Sequence, residues 1–192
     1  MEFNKSVSNP MLVGTIELMK EEDTPEHRNM FLGELSKAEL LSPAIVEPAP
    51  KEDDNGKLAL LPGSKVQFPM LSAPDGKKFF MAFTDSREYD KWKEKNSDFP
   101  AFALKLEDYA AMVLRRDAQG NICPALGVVI NPFGANIVIP REMLAGIMSA
   151  RVAQAKQMAA KQGVFAGASI LARPPKTGQP GAEHSGAGQD KE

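Results

Sequence analysis

Reactive side chains are scarce in this chain, which has one cysteine and two histidines in 192 residues. The lone thiol, Cys123, excludes an internal disulfide, so folding asks for no oxidising compartment. With no Cys-x-x-Cys and no histidine pair at helical spacing, the usual zinc ligand sets are missing. The run Lys51-Glu52-Asp53-Asp54-Asn55-Gly56 offers oxygens that suit calcium, but the glutamate that completes such a loop does not follow at the right spacing. Neither a Walker A loop nor a Gly-x-Gly-x-x-Gly turn occurs. Apolar runs stop well short of the roughly 18–20 residues that cross a bilayer. The opening Met1-Glu2-Phe3-Asn4-Lys5 lacks the basic and then apolar pattern of a secretory signal. A formal net charge of −2 argues against general binding to nucleic acid or to anionic membrane. These absences predict a cytoplasmic protein that uses no cofactor and no metal.

What is present is an ordinary globular composition, with 43% hydrophobic and 25% charged residues. The length suits one domain with extensions. Charge is spread unevenly: 12 acidic against 5 basic residues in 1–54, then 8 against 11 in 55–116. Solvated helix faces account for this, although an acidic face beside a basic one also steers partners.

Asn9-Pro10 and Thr24-Pro25 each pair an N-cap residue with proline at the first helical position. Two helices follow, one carrying Leu12, Ile16 and Met19, the other Met30, Phe31 and Leu35 as its apolar stripe. Leu40 to Val46 reads as a strand, and Lys51 to Gly63 as a loop or loose hairpin. Residues 66–83 predict an antiparallel hairpin about the turn Ala73-Pro74-Asp75-Gly76, where Pro74 presets one backbone angle and Gly76 tolerates a positive one. Asp85 and Glu88 have capping-box spacing before a helix through Tyr89 and Trp92. Phe99 to Leu104 is a further strand, and Leu106, Tyr109, Ala110 and Val113 mark a helix face. Two strands flank Asn131-Pro132-Phe133-Gly134. A last helix, from Arg141, turns Leu144, Ile147 and Met148 inward and weakens toward Gln162. Beyond Gly163 the Gly, Pro and Ser content predicts a flexible tail.

Few of these residues compose a reactive site. Cys123 would need a base, yet His184 lies in the tail and His27 on a helix, so a buried structural thiol is the simpler reading. Asp85, Glu88 and Asp90 lie close in sequence, but capping already explains Asp85. Lys91, Lys93 and Lys95 beside Trp92 hint at nucleic acid, until the interleaved Asp90 and Glu94 are counted. Trp92 also falls three residues after Tyr89, the spacing of a core stripe.

Taken in order, Pro25-Glu26-His27-Arg28-Asn29-Met30-Phe31, Leu40-Leu41-Ser42-Pro43, Asp75-Gly76 and Phe83-Thr84-Asp85-Ser86 form one half of a signature. Val129-Ile130-Asn131-Pro132 and Ile137-Val138-Ile139-Pro140-Arg141-Glu142 form the other. Over about residues 9–150 this resembles the N-terminal domain of the SseB family, the enhanced serine sensitivity proteins. The resemblance implies a compact α+β domain without an established catalytic residue set. Full-length members resemble two-domain cytoplasmic proteins, whereas a helix and a tail are expected here after residue 150.

The expectation is therefore an α+β domain with a mixed β-sheet and flanking helices. An N-terminal arm at 1–8 precedes the domain at 9–150, a helix extension at 151–162 and a flexible tail at 163–192. The expected function is non-enzymatic, a protein-interaction or regulatory module. Its rival is a small-molecule-binding domain or weak enzyme with a cleft between sheet and helices, which a deep pocket holding Cys123 would favour. A protein partner is expected, self-association stays open, and neither nucleic acid nor membrane is expected. Candidate interaction residues are Phe133, at the tip of the Asn131 turn, and Phe165, Ile170 and Leu171, in an apolar patch of the tail. For Phe133, packing back onto the core takes precedence over display to a partner.

Overall fold

The structure, a computed structural model, describes residues 6–52, 58–93 and 99–170, with backbone alone at 52, 58 and 160–170. Two helices open it, α1 (Pro10–Glu21) and α2 (Pro25–Leu35). The Thr24 hydroxyl accepts from the His27 amide at 3.1 Å, as its N-cap position predicts. Asn9 departs from that pattern. Its side chain makes no cap bond and instead donates to the carbonyls of Glu39 (2.7 Å) and Thr84 (2.8 Å). In α2, Phe31 and Leu35 are buried, but Met30 is 49% exposed and leaves the expected stripe.

Strands β1 (Glu39–Pro43), β2 (Ile45–Glu47), β3 (Lys51–Glu52), β4 (Leu58–Ala59), β5 (Lys65–Gln67), β6 (Met70–Ser72) and β7 (Lys78–Ala82) come next. The expected strand Leu40–Val46 is thus two strands with different partners, and the first arm of the expected 66–83 hairpin is likewise split into β5 and β6. Pro43 and Pro69 mark the two breaks, since proline supplies no ladder donor. β2 pairs with β5, β3 with β4, and only β6 with β7 makes the predicted hairpin. Its turn closes with the Gly76 amide on the Ala73 carbonyl at 2.9 Å, and Gly76 takes φ 79°.

The remaining elements are α3 (Ser86–Lys93), β8 (Ala101–Lys105), α4 (Leu106–Leu114), β9 (Ala125–Ile130), β10 (Ile137–Pro140) and α5 (Arg141–Ile170). The main sheet runs β10-β9-β7-β6. The β7–β9 pairing is parallel and its other pairings antiparallel, so the sheet is mixed. β1 pairs with β8 and meets the main sheet where Leu41 and Phe83 exchange backbone bonds, each 2.9 Å. Gly127 in β9 lies opposite Pro140. The Ile139 carbonyl oxygen occupies the space where a side chain would begin.

Side-chain alternation along β7 and β9 buries both faces of the sheet. Phe80, Ala82, Val128 and Ile130 join the larger core with Tyr109, Val113, Ile139 and Leu144. Met81, Phe83 and Val129 join the smaller one with Tyr89 and Trp92. Burial of each such large side chain contributes about 1.5–3 kcal/mol.

The chain divides into two compact units, one ending at Arg151 and one beginning at Val152. In the first, Arg141 donates to the carbonyls of Cys123 and Ala125, both at 2.6 Å. Arg151 donates to the Ser36 carbonyl at 2.6 Å and pairs with Glu107. Leu144 is buried, while Ile147 and Met148 are half-buried against the core. The second unit carries the helix past Gln162 to Ile170. Among the described residues no helix is long and apolar enough to cross a membrane.

Candidate interaction site

Where β7 and β9 end side by side, four polar side chains form one connected group. The Thr84 amide donates to Asn131 Oδ1 at 3.0 Å, and Asn131 Nδ2 donates to the Thr84 hydroxyl at 2.9 Å. That hydroxyl donates onward to Asp85 Oδ2 at 3.1 Å. Asp85 Oδ1 accepts from the Glu88 amide at 3.1 Å and so caps α3. Asn9, bonded to the Thr84 carbonyl, brings in the start of α1. Thr84 and Asn131 are buried, and paired bonds of this kind satisfy groups that would be costly to leave alone.

This group fixes the turn that follows β9. Asn131 sits at φ 49°, and its carbonyl accepts from the amides of Gly134 and Asn136, each at 2.9 Å. The left-handed positions are Asn131 and Asn136, and Gly134 is not one of them. Gly134 is small for another reason: the Glu88 carboxylate packs against it, where a Cβ would stand. The Asn131 amide does more than shape this turn. Its side chain reaches across the sheet to Thr84, a contact spanning 47 residues that no local pattern reveals.

Phe133 is held out by this turn and is 40% exposed. Ala135 and Ile137 pack on the larger core, but Phe133 does not join it. The expectation that the ring folds back inward is therefore corrected. Phe165 and Ile170 fall on the backbone of α5, but their side chains, with the whole of Leu171, lie outside the described residues.

Other sequence candidates resolve into structure. Trp92 is 5% exposed and stacks in a chain of rings, with centroids 5.7 Å from Tyr89 and 5.6 Å from Phe99. It belongs to the smaller core with Phe83 and Tyr89. Burial pushes the Tyr89 hydroxyl up to about 12, with Asp90 adding to the shift. Tyr89 donates to the Phe99 carbonyl at 2.8 Å. Glu88 Oε1 accepts from Lys91, so one oxygen of that carboxylate is committed. His27 Nδ1 lies 2.6 Å from the Glu22 carbonyl, a contact within its own helix entry. Among the described residues no three His, Cys, Asp or Glu side chains are grouped to hold a metal.

Two open grooves are lined by residues outside this turn. One, about 640 Å³, is lined by Leu41, Ala44, Val46, Tyr89, Phe99 and Pro100 among others. The second, about 490 Å³, takes in Phe68, Met70, Phe80, Met112 and the half-buried Cys123. No sequence motif marks either, because their walls come from segments far apart in the chain.

A mixed sheet flanked by helices, with a polar group at its parallel strand ends, defines a small α+β domain. A model of the SseB protein N-terminal domain matches residues 12–146, and the chain belongs to that family. Neither the curated proteins nor the solved structures yield a match.

Proposed function

We propose that this SseB-family domain is a non-enzymatic, cytoplasmic protein-interaction or regulatory module, with Phe133 as an anchor for a partner protein. The observation that carries this reading is an exposed aromatic ring on a turn locked from beneath by Asn131 and Thr84. A rigid aromatic loses little conformational freedom on association, which is why such residues dominate binding energies. The two open, largely apolar grooves are consistent with the same use. Protein surfaces use such features for recognition, whereas an enzyme site needs convergent reactive groups. The weakly acidic balance of the chain favours a protein over a nucleic-acid partner.

The test is affinity purification from the native cytoplasm at low expression, with wild type beside Phe133→Ala. A stoichiometric partner that is retained by wild type and lost by the variant is the expected result. Repeated recovery of the bare wild-type protein would refute the reading.

A further inference from the structure

The second groove carries a more specific assignment, which rests on the interaction reading but not on Phe133. Its floor joins Phe68 and Met70 to Phe80 and Met112, all packed on the larger core. Cys123 is half-buried at its wall, and Ile122 beside it is 43% exposed. Thioether side chains adapt to varied apolar shapes, and methionine-lined surfaces suit peptide segments for that reason.

The rim supplies the charge. Arg115 and Arg116 end α4 at the mouth of the groove, and both are exposed. The Arg115 side chain has no ion pair among the described residues. Arg116 donates once, to the Gly120 carbonyl at 2.9 Å, which leaves further donors on its fork. Lys78 is exposed two residues before Phe80, on the same face of β7. Asp117 is the one carboxylate in the lining. Both its oxygens are turned back into their own loop, by the Gln119 and Asn121 amides on Oδ1 and Asn121 Nδ2 on Oδ2. Those bonds, led by the Asn121 side chain, hold its carboxyl below the ordinary range. The arginines are thus available to an incoming carboxylate.

From this complementarity we infer that the groove binds an acidic peptide segment of a partner protein, with an aliphatic or aromatic anchor on the methionine floor. Flanking Asp or Glu side chains meet the Arg115 and Arg116 guanidinium groups, which recognise carboxylates in a planar, paired geometry.

A displayed library of random peptides, selected on the full-length chain, tests this directly. Enriched peptides are expected to place Asp or Glu beside Leu, Met or Phe. A synthetic copy should slow alkylation of Cys123 by iodoacetamide, because that thiol lies in the groove wall. Reversing both arginines, Arg115→Glu with Arg116→Glu, should weaken the peptide on the order of tenfold, while Phe133→Ala binds it as wild type does. Thermal melting confirms that the double variant is folded. Enrichment without acidic residues, binding indifferent to the arginine reversal, or unchanged Cys123 alkylation each overturns the assignment. Protection of Cys123 that rises with protein concentration alone, with a doubled solution mass, would give the groove to a second copy and overturn it too. A native partner lost on Phe133→Ala alongside an empty peptide selection would keep the interaction reading and reject this groove.

Discussion

Asn131 and Thr84, 47 residues apart, exchange a reciprocal pair of hydrogen bonds across the ends of two parallel strands. The amide of one strand end and the side chain of the other satisfy each other in a buried setting. The same contact sets the turn that displays Phe133, so stability and display share one joint.

Replacing Asn131 by alanine leaves the Thr84 amide buried and unpaired and puts at φ 49° a residue that tolerates this left-handed angle less well than asparagine. Asn131→Ala should therefore destabilise the domain by about 2–4 kcal/mol in urea unfolding. Asn131→Gly loses the same bonds but relaxes the backbone, and should be about 1 kcal/mol less damaging.

The two close-packed glycines should respond differently. A Cβ at Gly127 meets the Ile139 backbone carbonyl, which cannot move without parting β9 from β10. A Cβ at Gly134 meets only the end of the Glu88 side chain, which can swing away. Gly127→Ala should cost about 3 kcal/mol or more, and Gly134→Ala about 1 kcal/mol, by the same unfolding measurement.

Alkaline pH should unfold the domain through its two tyrosines. Burial raises the ionisation of Tyr89 to about 12 and raises that of Tyr109 as well. Because the folded values lie above the unfolded value of about 10, the native state holds these protons longer. Their stabilisation is complete below about pH 10 and is lost as pH climbs toward 12 and beyond. Tyrosinate absorbance should rise together with the loss of far-ultraviolet circular dichroism in that window. Tyrosinate forming at about pH 10 in a still-folded chain would contradict the burial argument.

Much of the fold was legible because its signals are local. Thr24 caps α2, Gly76 closes the β6–β7 turn, and the Tyr89–Trp92 spacing marks a core stripe, each fixed by a few neighbouring residues. Strand partners were less legible: Pro43 and Pro69 split two apparent strands, and only tertiary pairing assigns β2 to β5. Asn9 reads as a helix cap, yet its amide is taken by carbonyls 30 and 75 residues away. The turn of the candidate site was visible at Asn131-Pro132-Phe133-Gly134, but the outward direction of Phe133 depends on the distant Thr84 contact. The groove at Met70, Met112 and Cys123 has no sequence signature, since three unremarkable segments meet there.

If Phe133 serves recognition rather than folding, Phe133→Ala should melt within about 1 kcal/mol of wild type, as exposed positions do. A buried structural ring would cost about 3–5 kcal/mol instead.

The most direct measurement is site-specific photo-cross-linking in the native cytoplasm, with a photoreactive phenylalanine analogue at position 133 and, in a separate sample, at position 30. Met30 is exposed to a similar extent but lies on α2. A discrete protein adduct formed from position 133 and absent from position 30 is the predicted result. No adduct at position 133, or the same adducts from both positions, would contradict the assignment of the Phe133 turn as the recognition surface.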